Sequence, residues 1–123
     1  MRERLLVSVV DDDESVRESL PDLLRELGYA VNTFSSAEDF LESGYVEQTK
    51  CLIADIAMPG MSGPDLQSEL KRRRHRIPII FITAHEPQAL RGRLVDEGAV
   101  ACLSKPFSDK ALLTALNAAL GVN

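Results

Sequence analysis

Short apolar runs and longer apolar stripes alternate along this chain with almost no slack between them. LLVSVV (5–10), AVNTF (30–34), CLIAD (51–55), IPIIFIT (77–83) and VACLS (100–104) are rich in β-branched residues and bounded by polar residues or glycine. That is the pattern of strands buried on both faces. Between the runs, Val16, Leu20, Leu23, Leu24 and Leu27 recur at spacings of three and four, as do Leu66 with Leu70, Leu90 with Leu94, and Leu112, Leu113, Leu116 and Leu120. Such spacing lines up one apolar face of a helix.

The punctuation agrees. Ser35 followed by Glu38 fits a capping box for the second helix, and Gly63 with Pro64 fits the start of the third. Gly28 and Gly98 stand where helices should stop. Pro21 falls inside the first helical stripe, where it removes a hydrogen bond to the carbonyl of Arg17 at a cost of up to about 3 kcal/mol, so a bend is expected there rather than a break. No repeat, low-complexity stretch or linker interrupts the order. The chain therefore reads as one domain, residues 1–123, built as (βα)5, and right-handed crossovers make its sheet parallel with helices on both faces.

Composition narrows the classes. A chain of 123 residues with 45% hydrophobic and 27% charged residues buries a core of its own, about two thirds of the surface its unfolded form exposes. A formal charge of -5 disfavours direct binding to nucleic acid. The basic run KRRRHR (71–76) carries no interleaved aromatics and reads as a solvated helix end. The first apolar run is too short for a signal peptide or a membrane span and ends in acids, so a cytoplasmic location is expected. Cys51 and Cys102 lie in apolar contexts without metal-site or redox spacing and read as buried thiols, not as a disulfide.

The acids at the strand ends are the informative residues, because ligands of such sheets bind beyond the carboxyl ends of the strands. The first strand runs into Asp11 and Asp12, the third ends at Asp55, the fourth at Thr83 and the fifth just before Lys105. If these ends converge, three carboxylates share a pocket with a hydroxyl and an ammonium. Two carboxylates about 4 Å apart repel by about 4 kcal/mol at an effective dielectric near 20, a strain that a hard cation relieves. Oxygen ligands without clustered Cys or His point to Mg²⁺. A carboxylate beside that metal can act as a nucleophile toward phosphorus. Asp13 and Glu14, at the start of a helix, read as caps and dipole partners rather than ligands.

Four motifs taken together, VVDDDESVRESL, DIAMPGMSG, ITAHE and LSKPF, give the chain a resemblance to the receiver domain of two-component response regulators, in particular the branch usually joined to a LuxR-type helix-turn-helix. The resemblance implies a flavodoxin-like sheet of order 2-1-3-4-5. It also implies a phosphorylation switch rather than an enzyme. In it Asp55 is the phosphoacceptor, Asp11, Asp12 and Asp55 hold Mg²⁺ with the backbone carbonyl of Ala57, and Thr83 and Lys105 contact the phosphoryl group. Ala84 would leave the approach open, the bond from Lys105 to Pro106 would be cis, and His85 lies where members place side chains that influence attack by water. The implied partners are a histidine kinase as donor, a LuxR-type DNA-binding domain in a longer chain, and a second copy on phosphorylation, with Arg91 and Arg93 on the fourth helix as candidates for pairing with acids.

One departure stands out. Many members carry Tyr or Phe three residues before the lysine, where this chain has Cys102, so the conformational signal is expected to be altered at that point. Two other functions compete. Asp11 and Asp13, separated by one residue after an apolar strand, resemble the acid pair of haloacid-dehalogenase-type phosphatases, a reading that leaves Asp55 and the KPF motif unexplained. A pseudo-receiver, binding partners without phosphate, is the second rival.

Overall fold

The computed structural model describes residues 4–84 and 88–121. Five strands and five helices alternate: β1 (Leu6–Val10), α1 (Glu14–Glu26), β2 (Ala30–Phe34), α2 (Ala37–Glu42), β3 (Thr49–Asp55), α3 (Gly63–Arg72), β4 (Ile79–Thr83), α4 (Gln88–Asp96), β5 (Ala101–Ser104) and α5 (Asp109–Leu120). The strands form one sheet in the order β2-β1-β3-β4-β5, and every neighbouring pair is parallel. This is the flavodoxin-like order, which changes direction between β1 and β3 and opens a crevice at their carboxyl ends.

Strand alternation sorts the core into two layers. Cys51 and Ile53 of β3 and Ile80 and Ile82 of β4 pack with Leu20 and Leu24 of α1 and Leu112 and Leu116 of α5. Their neighbours Leu52, Ala54, Ile79 and Phe81 pack on the other side with Phe40 of α2, Leu66 and Leu70 of α3 and Leu94 of α4. Both faces of the central strands are thereby dry, the physical reason that β3 and β4 read as continuous apolar runs.

Local signals settle most element ends. Asp13 caps α1, its carboxylate accepting from the backbone N–H of Ser15 at 2.9 Å. The helix continues unbroken through the buried Pro21. Ser62 and Asp65 form a reciprocal capping box at the start of α3, with Pro64 in the first turn. Gly28 and Gly98 take positive φ values of 99° and 114° after their helices, a conformation glycine adopts without steric cost.

Two expectations are corrected. The cap of α2 is Ser36, whose hydroxyl accepts from Asp39 N at 3.1 Å, while the Ser35 hydroxyl donates to the Asp39 carboxylate at 3.2 Å. Glu38 is thus one residue short of the box position, and its carboxylate reaches elsewhere. Cys102 is only half-buried because β5 is an edge strand, whereas Cys51 in β3 is fully buried and its thiol is pushed up to about 12 by burial. Both cysteines are free of disulfides. None of the helices among the described residues is long and apolar enough to cross a membrane.

Candidate functional site

Asp11 is the first residue past β1 and has no exposed surface, so its charge must be answered inside the protein. Its backbone N–H donates to the carbonyl of Phe34 in β2 at 3.1 Å, which extends the ladder and fixes where the chain turns. One carboxylate oxygen accepts from the backbone N–H of Asp13 at 2.8 Å, and the other accepts from Lys105 Nζ at 3.0 Å. Arg17, one turn into α1, donates to the Asp11 carbonyl at 2.8 Å. Asp12 is exposed at the rim.

Asp55 closes β3 at 7% exposure. Its carboxylate lies 3.9 Å from Lys105 Nζ. One carboxylate oxygen from each of Asp11, Asp12 and Asp55 lies within 4.8 Å of the others. Burial pushes the Asp55 carboxyl up to about 6, the Asp11 charge pushes the same way, and Lys105 partly opposes them. The three carboxylates and the single ammonium leave two negative charges in a small volume, a quantity that a divalent cation cancels. The donor set is all oxygen, as Mg²⁺ requires. The residues present therefore fit the metal that the fold implies.

The neighbouring backbone holds this arrangement. Ile56 N–H donates to the Ile82 carbonyl at 3.1 Å, so the chain just past Asp55 is still tied to β4. Thr83, the last residue of β4, is 2% exposed, and its carbonyl accepts from Lys105 N–H at 2.8 Å. Thr83 and Lys105 thus leave the sheet side by side. The Lys105–Pro106 bond is cis, as the resemblance implies. Ala57 and Ala84 are both exposed at this edge. His85 lies outside the described residues.

Gly63 carries a constraint that sequence spacing did not reveal. Its N–H closes the loop after β3 by donating to the Ile56 carbonyl at 2.9 Å. A Cβ at this position would sit 2.5 Å from the Asp55 carbonyl oxygen and 2.9 Å from the Phe81 ring. Glycine here lets α3 begin directly against the strand that presents Asp55. Arg17 and Glu38 were also missed, since each acts through a backbone group far from its own position in the pattern: Glu38 Oε2 accepts from Met61 N–H at 3.2 Å, across 23 residues.

Of the residues singled out in the sequence, Asp11, Asp12, Asp55 and Lys105 come together as one charged cluster, with Thr83 joined to Lys105 through the backbone. Arg93 lies 3.9 Å from Glu97 of its own chain, and Arg91 donates to the Cys102 carbonyl at 3.2 Å. In the basic run, Arg72 and Arg73 both engage Glu69, as expected of a solvated helix end.

A family model described as response regulator receiver domain matches residues 7–117. Nodulation protein W of Bradyrhizobium diazoefficiens is 47% identical over 116 residues, which cover 94% of this chain and 51% of that protein. The transcriptional regulatory protein FixJ of Azorhizobium caulinodans is 41% identical over 121 residues, covering 98% of this chain and 57% of that protein. The solved structure of the response regulator StyR superposes with a TM-score of 0.88 at 47% identity, covering 97% of this chain and 60% of that one. The chain spans about half the length of the curated relatives it matches.

Proposed function

We propose, since this chain belongs to the response regulator receiver family, that Asp55 is the residue through which it takes part in two-component signalling. Receivers are phosphoacceptor signalling domains rather than enzymes in the ordinary sense, and they bind Mg²⁺ in an acidic pocket. The reading rests on one observation: carboxylates from two strand ends meet within 4.8 Å beside the ammonium of Lys105.

In this reading an oxygen of the Asp55 carboxylate attacks the phosphorus of a phosphohistidine on a histidine kinase. The new P–O bond forms as the P–N bond breaks, and the imidazole departs with the bonding electron pair and takes up a proton. Asp11, Asp12 and Asp55, with the Ala57 carbonyl, would hold Mg²⁺. When bound, the metal supplies neutralising charge to the phosphoryl oxygens. Lys105 shares that task from within the protein, because its ammonium already stands between Asp11 and Asp55. The Thr83 hydroxyl contacts a phosphoryl oxygen and links the modified site to the face formed by α4, β5 and α5.

A small acyl phosphate supplied with Mg²⁺ should add one phosphoryl group to the chain, and peptide mapping by mass spectrometry should place it on Asp55. Without Mg²⁺ the adduct should fall at least about tenfold. An adduct on Asp11 would instead support the phosphatase-like chemistry, and an unmodified chain would support a pseudo-receiver.

The signal leaves through an altered relay. Cys102 stands in β5 opposite Phe81 and packs against the core layer shared by α3 and α4. A thiol lacks the ring whose inward swing reports phosphorylation in many relatives. The displacement of α4, β5 and α5 on phosphorylation should therefore be smaller than the family's, and a comparison of free and phosphorylated structures measures it. A full, family-like displacement would refute this. In a longer protein the same face would pass the signal to a LuxR-type DNA-binding half or to a second copy, in the cytoplasm where the kinase's phosphohistidine is presented.

A further inference from the structure

Glu38 belongs to α2 in sequence but serves the loop between β3 and α3. Capping of its own helix is left to Ser36 and Asp39, and its carboxylate instead receives the N–H of Met61 at 3.2 Å. The same oxygen fills the space over Gly60: a Cβ there would lie 2.7 Å from it, and Gly60 has a φ of +75°. The loop and its partner are thus fitted to each other, a left-handed glycine leaving room for the carboxylate that grips the next residue.

The rest of that loop is held from within. Its start is tied to β4 through Ile56, its end is closed by Gly63 N–H on the Ile56 carbonyl, and Met58 is buried in the core. Between those anchors, the exposed stretch around Ala57, Pro59 and Gly60 has Glu38 as its grip from outside the loop among the described contacts. We infer that Glu38 is a positioning residue for the metal site: by gripping the Met61 N–H over Gly60 it holds the Ala57 carbonyl where a cation on Asp11, Asp12 and Asp55 would meet it. The inference rests on the proposed reading of that cluster as an Mg²⁺ site. Groups that orient ligands without touching the metal commonly change its affinity by about ten- to a hundredfold when lost.

Calorimetric Mg²⁺ titration of the unsubstituted chain, Glu38→Ala and Glu38→Gln, paired with amide hydrogen exchange at Met61, tests it. Glu38→Ala should bind Mg²⁺ about tenfold more weakly and exchange the Met61 amide faster. Glu38→Gln keeps an acceptor oxygen and should stay within about threefold of the unsubstituted chain on both readouts. Equal Mg²⁺ affinity in the alanine variant overturns the inference, as does an unchanged Met61 amide. Equal weakening in alanine and glutamine variants also overturns it, because the effect is then one of distant charge rather than of grip. Failure of the unsubstituted chain to bind Mg²⁺ overturns the metal-site reading itself, and this inference with it.

Discussion

Without magnesium at pH 7, Asp55→Asn should fold more stably than the unsubstituted chain by about 2 kcal/mol, while accepting no phosphoryl group. The gain follows from what surrounds the carboxylate. Burial and the Asp11 charge raise Asp55 from an ordinary 3.8 to about 6, and Lys105 only partly offsets them. A carboxyl whose folded value exceeds its unfolded value binds more protons in the folded state between those two values. As far as this group is concerned, stability of the unsubstituted chain should be highest below about pH 3.8, fall as pH rises toward about 6, and level off above it. Asparagine fills nearly the same volume, carries no charge, and removes that slope. Magnesium should reverse the ranking, stabilising the unsubstituted chain more than the variant, because binding to the folded form alone adds to stability by mass action. Urea melts from pH 4.5 to 7.5, with and without Mg²⁺, read all of this. A variant less stable than its parent at neutral pH in metal-free buffer would show that the three carboxylates are not under strain.

Lys105→Met should act in the opposite direction, although the two residues share a cluster. Asp11 has no exposed surface, and Lys105 is its cationic partner at 3.0 Å. Removing the ammonium leaves that carboxylate with the Asp13 N–H and two neighbouring acids. Breaking a buried pair from one side costs about 3 kcal/mol or more, so the metal-free variant should melt at clearly lower urea. Magnesium should restore much of the loss, since a cation on the acids replaces the missing positive charge, and the Mg²⁺-induced gain should exceed that of the unsubstituted chain. Phosphorylation should still fall sharply, because the metal does not replace the ammonium on the phosphoryl oxygens. Equal stability of variant and parent without metal would mean that Lys105 does not neutralise Asp11.

The two substitutions separate roles that the sequence presents alike. Asp11, Asp12 and Asp13 are consecutive acids after one strand, yet the fold buries the first, leaves the second at the rim, and turns the third into a helix cap. Consecutive residues leaving a strand point in different directions, so identical chemistry meets three environments within about 10 Å of chain.

Periodicity determined five strands and four of the five helices, with a capping signal marking α2, and so the parallel (βα)5 architecture and the strand ends at which Asp11, Asp55, Thr83 and Lys105 emerge, because hydrophobic spacing records which faces are dry. The motifs added the strand order by resemblance. Partners remote in the chain were decided only by the tertiary structure. Lys105 meets Asp11 across 94 residues, Glu38 grips Met61 rather than its own helix, and Gly63 lies against the Asp55 carbonyl because α3 starts there. Even the choice of Ser36 over Ser35 as the cap turned on a single-residue offset. Spacing specifies a face but not what lies opposite it. That depends on sheet register and helix packing, which arise only when all the elements close on a common core.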